Sequence, residues 1–165
     1  MIERFAYAAF VVVAGLFWIF PAVRKGLWHE VLSGVGAMLL FGILFFEQQA
    51  VQQETELALL GGALALFGIS IAVLGVFTIF TKGRARDFEE SKTFVRSGVF
   101  YYFRHPLYYG MILLAAGAAL VKGTVFALAI CSAAALLLLA AGKVEESHNL
   151  KKFGKRYEKY LKKKK

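Results

Sequence analysis

The sequence predicts an all-α protein integral to a membrane, with about five transmembrane helices, a C-terminal helical hairpin and a cytosolic amphipathic tail. Three observations predict it. Hydrophobic residues make up 59% of the 165-residue chain and the mean hydropathy is +0.61, against the roughly 45–50% apolar content of a soluble globule. The apolar residues fall into five long runs, and an uncharged run of about 18 or more residues reads as a spanning helix. The polar segments differ in charge, basic at Arg24-Lys25, residues 82–104 and the C-terminal tail and acidic at residues 47–56, an asymmetry that orients spans across a membrane.

The first run covers residues 5–23. Arg4 precedes it, but no small-residue cleavage pattern follows, so it reads as a retained span and not a secretory leader. Pro21 is expected to open the loop that carries Arg24 and Lys25. The second run, residues 27–46, begins with His29 and Glu30, an interfacial pair that caps or snorkels at the helix end. Trp18 and Trp28 suit an aromatic belt. Residues 47–56 are acidic and contain no Lys or Arg.

The third run, residues 57–80, carries no charge. Gly61, Ala65, Gly68, Ala72 and Gly75 recur at helical spacing on one face, which should meet another helix at close range, within the chain or across a dimer, because small side chains let backbones approach. The fourth run, residues 106–121, starts at a proline suited to the first helical turn. From Leu107 onward it rises only about 23 Å, less than the roughly 30 Å of a hydrocarbon core. Arg104 and His105 are therefore expected at the membrane boundary or just inside it, in a pocket that shields them from lipid. Lys122 and Gly123 interrupt the apolar pattern before the fifth run, residues 124–142, so the last two helices should form an antiparallel hairpin. The single cysteine, Cys131, lies mid-run as a small buried hydrophobe.

The net charge of +9 is concentrated in residues 82–104 and 151–165. Basic flanks beside apolar runs are a topogenic and lipid-attracting signal, so nucleic acid is not the expected partner. Placing the basic segments in the cytoplasm puts the acidic loop and the N-terminus outside a cell membrane. The hairpin then brings Arg104, His105 and Tyr108 to the same cytosolic face as Glu145 and Glu146. Alone, Glu145-Glu146 followed by His148, Lys151, Lys152 and Lys155 also suits a solvated, charge-mixed tail. His29, His105 and His148 lack metal-ligand spacing, so no metal site is expected.

The order Phe94-Val95-Arg96-Ser97-Gly98-Val99-Phe100, then Arg104-His105-Pro106-Leu107-Tyr108-Tyr109-Gly110, an apolar hairpin, Glu145-Glu146 and Phe153-Gly154-Lys155-Arg156-Tyr157-Glu158-Lys159-Tyr160 resembles the isoprenylcysteine carboxyl methyltransferase and phospholipid methyltransferase group. The resemblance covers roughly residues 92–160. It implies a single membrane-embedded domain over residues 1–165, with a three-helix part (1–80) and a cofactor-binding part (81–165). It further implies methyl transfer from S-adenosylmethionine to a lipid or lipid-linked acceptor. By resemblance, Lys92, Thr93, Phe94, Val95, Phe100, His105, Pro106, Leu107, Tyr108 and Glu145 line the cofactor site. The cofactor's carboxylate suits cations, its adenine suits aromatic faces, and its sulfonium and ribose suit a carboxylate.

Two departures from the family pattern stand out, the first at the cofactor site and the second on the acceptor side. Phe100 stands where the family usually has tyrosine, and Ala141 stands where the isoprenylcysteine branch has an arginine one turn before the first glutamate. Lys143 is the nearest cation to that position and the candidate substrate contact. Methyl transfer from a sulfonium is an in-line displacement that needs alignment and exclusion of water. A carboxylate acceptor would need only a cation such as Arg104 or Lys143. An amine would need a base, for which Glu146 and His148 are candidates; Arg104 and Glu146 are thus the candidate catalytic groups. A sterol-reductase-like enzyme using NADPH shares part of the C-terminal layout, but Leu107 replaces the asparagine of its Arg-x-Pro-Asn-Tyr pattern and the chain is short. A membrane scaffold or small transporter accounts for the spans but not for the polar cluster. The acceptor and the oligomeric state are left open by the residues.

Overall fold

The computed structural model describes residues 2–46, 55–82, 95 and 97–163. Its elements are α1 (Ile2–Ala14), a π turn (Gly15–Ile19), α2 (Phe20–Lys25), α3 (Trp28–Phe46), α4 (Thr55–Lys82), a 3-10 turn (Gly98–Tyr101), α5 (Pro106–Lys122), α6 (Val125–Phe153) and α7 (Lys155–Lys163). No strand occurs among the described residues. Of these helices, α4 and α6 are long and apolar enough to cross a membrane, while α3 and α5 are apolar and shorter.

Two sequence-based boundaries need correction. Pro21 does not open a loop but lies inside a helical stretch that continues to Lys25. Proline lacks an N–H and its ring crowds the carbonyl four residues back. Here the Phe20 N–H bonds to the Gly15 carbonyl across a π turn, and that wider turn immediately before Pro21 makes room for the ring. The chain leaves the helix at Gly26, in the left-handed region at φ 70°. The second correction is to the last apolar helix, which does not stop at Gly142 but runs on to Phe153. The end of an apolar run marks the end of lipid contact, not of helical backbone, and no proline or glycine follows Gly142 until Gly154.

The junction between α5 and α6 is short because its residues satisfy both helix ends. Gly123 closes α5 in the left-handed region, its N–H bonded to the Ala119 carbonyl, and Thr124 opens α6 by accepting the Ala127 N–H on its hydroxyl at 3.0 Å. Both are the residue types these positions favour. At the other end of α6, Gly154 adopts φ 55°, ψ −135°, a conformation closed to residues with a Cβ. It lets α7 turn back toward the bundle.

Packing runs in the order α4, α5, α6, α3, α1, each helix lying against the next. The α4–α5 contact is the most extensive, and the small-residue face of α4 makes it. A Cβ on Gly68 would lie 2.5 Å from the Gly110 carbonyl oxygen, and one on Gly117 would lie 2.5 Å from the Gly61 carbonyl oxygen. The face left open between an intrachain and an intermolecular role is therefore used inside the chain. The middle of the bundle is a cluster of Leu40 and Ile43 from α3, Ala115, Ala118 and Ala119 from α5, and Ala127, Cys131 and Ala134 from α6. Cys131 is 3% exposed, as its apolar surroundings predict. On the outer side, the Tyr7 hydroxyl donates to the Met38 carbonyl at 2.8 Å, over Gly42, where a Cβ would meet that hydroxyl at 2.9 Å.

Gly110→Val should destabilise the bundle by about 1–3 kcal/mol or prevent folding, since the neighbour it would strike is backbone. Equilibrium unfolding in detergent measures this. An unchanged midpoint would show that α4 and α5 are not in backbone contact.

Candidate active site

A cavity of about 250 Å³ opens at one end of the bundle. That end collects the start of α3, the end of α4, the segment entering α5, the polar extension of α6, and α7. Arg24 and Lys25 at the end of α2, Lys82 at the end of α4, and Lys151 and Lys152 near the end of α6 belong to the same end. The α6 wall is one helical face: Glu145, His148, Asn149 and Lys152 follow at positions i, i+3, i+4 and i+7, which a 3.6-residue period stacks along one side. His29 and Glu30 contribute from the first turn of α3, Phe100 and Arg104 from the segment before α5, and Tyr157 and Tyr160 from α7.

His105 is the hinge of the polar network. It precedes the first residue of α5 and its ring stacks on Tyr108, with centroids 5.7 Å apart. Nδ1 lies 3.1 Å from Glu145 Oε2, and Nε2 lies 3.5 Å from Glu146 Oε1. The second contact lacks hydrogen-bond alignment, so the buried Nε2 has no hydrogen-bond partner among the described residues. Gly142 lies directly beneath the two rings, where a Cβ would stand at ordinary contact distance, 3.4 Å from His105 Cδ2 and 3.5 Å from Tyr108 Cδ2. Burial disfavours the imidazolium, but the hydrogen bond and charge of Glu145 and the charge of Glu146 outweigh it, so the His105 pKa is raised.

The remaining contacts fasten the surrounding elements to this pair. Asn149 Nδ2 donates to Glu145 Oε1 at 3.2 Å, and Arg104 donates to Glu146 Oε1 at 3.3 Å. Arg104 also donates to the Leu161 carbonyl at 3.3 Å, and the Tyr160 hydroxyl donates to the Phe100 carbonyl at 2.9 Å. α7 is thus bonded at two points to the segment entering α5. Tyr157 and Tyr160 are 2% and 8% exposed, while Lys155, Lys159 and Lys162 on the other side are exposed. The two tyrosines of α7 face the cavity and form part of its wall.

The structure brings Val95, Phe100, Arg104, His105, Tyr108, Glu145 and Glu146 to this end of the bundle, with Val95, Phe100, Arg104 and Glu145 on the cavity wall. Lys92, Thr93 and Phe94 lie outside the described residues. Pro106 is fully buried and packs on α4, where a Cβ on Gly75 would lie 3.0 Å from its Cγ. Leu107 follows on the same contact, its amide 3.5 Å from that position; neither is on the cavity wall. Lys143 is exposed and does not reach the cavity, because two residues along a helix turn a side chain about 200° away from Glu145. Ala141 is 0% exposed and packed with Tyr108 and Leu138, so no long side chain fits there without displacing them.

Sequence reasoning missed His29, Glu30 and Asn149 as cavity residues. The α6 face was concealed by ending that helix at Gly142; once the helix continues, the spacing of Glu145, His148, Asn149 and Lys152 is the signal. Nothing in the local sequence of α3 announces that His29 meets His148, whose ring centroid lies 5.2 Å away.

The molecule is thus an all-helical bundle with long apolar helices and a charged, half-enclosed cavity at one end. The phospholipid methyltransferase profile matches residues 57–156, more than half of the chain. The chain belongs to that family, one of membrane-bound methyltransferases. The match begins before the resemblance at residue 92 and takes in α4, whose glycine face seats α5. It leaves out α1 to α3. No curated protein and no solved structure matches the chain.

Because its partners are acidic, His105 should titrate above the ordinary imidazole value of about 6.5, and Glu145→Gln should bring the midpoint down. Its contribution to stability is full below the unfolded value and is lost as the pH rises through the folded one. Imidazole NMR reads both midpoints; a wild-type midpoint at or below the ordinary value would contradict the network.

Proposed function

We propose that this protein transfers a methyl group from S-adenosylmethionine to a lipid or lipid-linked acceptor at the cytosolic face of a cell membrane. The observation that carries the reading is the meeting of Arg104, His105, Glu145 and Glu146, all inside the family-matched residues, beside a cavity rimmed by aromatic rings. The first helical stretch through α2, together with α3, α4, α5 and α6, makes five crossings of a single membrane-embedded domain. The cytosolic ends are those that carry the basic segments. The short α5 then holds His105 near the depth of lipid headgroups.

The chain's residues suit the cofactor in kind. Arg104 and Lys152 are cations available to a carboxylate, Phe100, Tyr157 and Tyr160 offer aromatic faces, Glu145 suits a cationic or hydroxyl-bearing group, and the buried His105 Nε2 has capacity for a further hydrogen bond. When bound, the cofactor supplies an electrophilic methyl group. The residues around it bind, orient and exclude water: Glu145, steadied by His105 and Asn149, presents a fixed carboxylate, and α7 covers the opening. Arg104 is engaged by Glu146 and Leu161, which suits it to holding α7 in place as well as to meeting an anionic group. The burial of Ala141 beneath Tyr108 and the outward position of Lys143 support an acceptor other than the carboxylate of the isoprenylcysteine branch.

Calorimetric titration with S-adenosylhomocysteine should give binding to the wild-type protein and little or none to Glu145→Gln; equal affinities would remove Glu145 from the site. His105→Ala should retain a monodisperse folded species while methyl transfer from a radiolabelled donor into a total lipid extract falls about 100-fold or more. Loss of the folded species instead would assign His105 to structure. The labelled lipid in the wild-type reaction identifies the acceptor.

A further inference from the structure

The cavity has two walls of different origin. Glu145, Asn149, Arg104 and Phe100 come from the family-matched residues, whereas His29 and Glu30 come from α3, outside the match. His29 is 9% exposed, lines the cavity, lies 3.9 Å through Nε2 from Glu30 Oε1, and faces the ring of His148 across 5.2 Å. A buried imidazole beside a carboxylate, open to a cavity, is the arrangement of a general base. Helix packing explains its position but not its chemistry, since an apolar side chain would fill the same space against α6 at no electrostatic cost.

Resting on the methyltransferase reading above, we propose that His29, beside Glu30, takes a proton from the acceptor nitrogen of an amine headgroup, whose lone pair attacks the methyl group in this cavity. The bond that forms joins the acceptor nitrogen to the methyl carbon, and the bond that breaks is carbon to sulfur, with the electron pair remaining on sulfur. The proton that leaves nitrogen goes to the His29 imidazole, where the new positive charge is held next to the Glu30 carboxylate. The charged and titratable groups around His29 are Glu30 from α3, Glu145, His148 and Lys152 from α6, Tyr157 from α7 and Arg104 before α5. Of these, His148 is the more exposed of the two imidazoles. A carboxylate acceptor carries no proton to lose and would leave His29 without this task.

The test uses the full chain in nanodiscs, with a labelled methyl donor and either phosphatidylethanolamine or a farnesylated cysteine bearing a free carboxylate. His29→Gln is expected to lower turnover on the amine by about 100- to 10,000-fold while the affinity for S-adenosylhomocysteine stays at the wild-type value. Glu30→Gln is expected to shift the acid limb of the pH–rate profile to lower pH, because the protonated imidazole loses its anionic neighbour, and the His29 midpoint read by NMR should move the same way. Wild-type turnover with an unchanged profile in His29→Gln would overturn the proposal, as would a loss of cofactor-analogue affinity equal to the loss of turnover. If His29→Gln does not fold, Glu30→Gln decides, and an unmoved acid limb overturns the proposal. A wild-type protein that methylates only the carboxylate acceptor refutes the role of His29 and leaves the methyltransferase reading intact. Failure to bind the analogue or to methylate either acceptor refutes both.

Discussion

The contact between the His105 imidazole and the Glu145 carboxylate holds the polar end of the bundle together. Neither group can remain unpaired at the edge of an apolar environment without a desolvation penalty of several kcal/mol. The contact forms because α5 and α6 lie side by side from Gly123 to the level of Gly142, where the imidazole lies against the α6 backbone. Arg104, Asn149, Glu146 and the C-terminal tyrosines are then arranged around this pair, each through a hydrogen bond or ion pair that depends on the positions of the two helices.

The apolar and polar parts of the molecule are linked through small residues. Glycines at the α4–α5 interface bring the two backbones together, and Gly75 receives Pro106, which fixes where α5 begins. That in turn fixes the height of His105. Pro106, which the resemblance places at the cofactor site, also anchors the residue before it through this contact.

On the proposed function, the α3–α6 side of the cavity is where this chain departs from the isoprenylcysteine branch it resembles. Ala141 is buried under Tyr108, Lys143 faces outward, and the polar groups on that side are His29 and Glu30 from α3 and His148 from α6. On the proposed function, this wall would supply a proton acceptor where the other branch supplies a cation for an anionic group. α7 adds to the enclosure, with its tyrosines on the cavity and Lys155, Lys159 and Lys162 exposed on its other side.

The sequence by itself determined the helical class, the polar knot at Arg104 and His105, its pairing with Glu145 and Glu146, and the small-residue face of α4. These follow from local properties: the length of apolar runs, the penalty for charges near lipid, and the spacing of glycines along one helix. It could not determine that α6 continues as a helix past its apolar run, since hydropathy reports the surroundings of a helix and not its hydrogen bonding. Nor could it show that Pro21 sits behind a π turn, a backbone adjustment with no sequence mark of its own. Only the tertiary structure decided that α4 docks on α5, that α7 returns to bond with Phe100 and Arg104, and that His29 meets His148. Each of those is a contact between residues far apart in the chain, fixed by which helix faces pack together, and no local pattern encodes that choice.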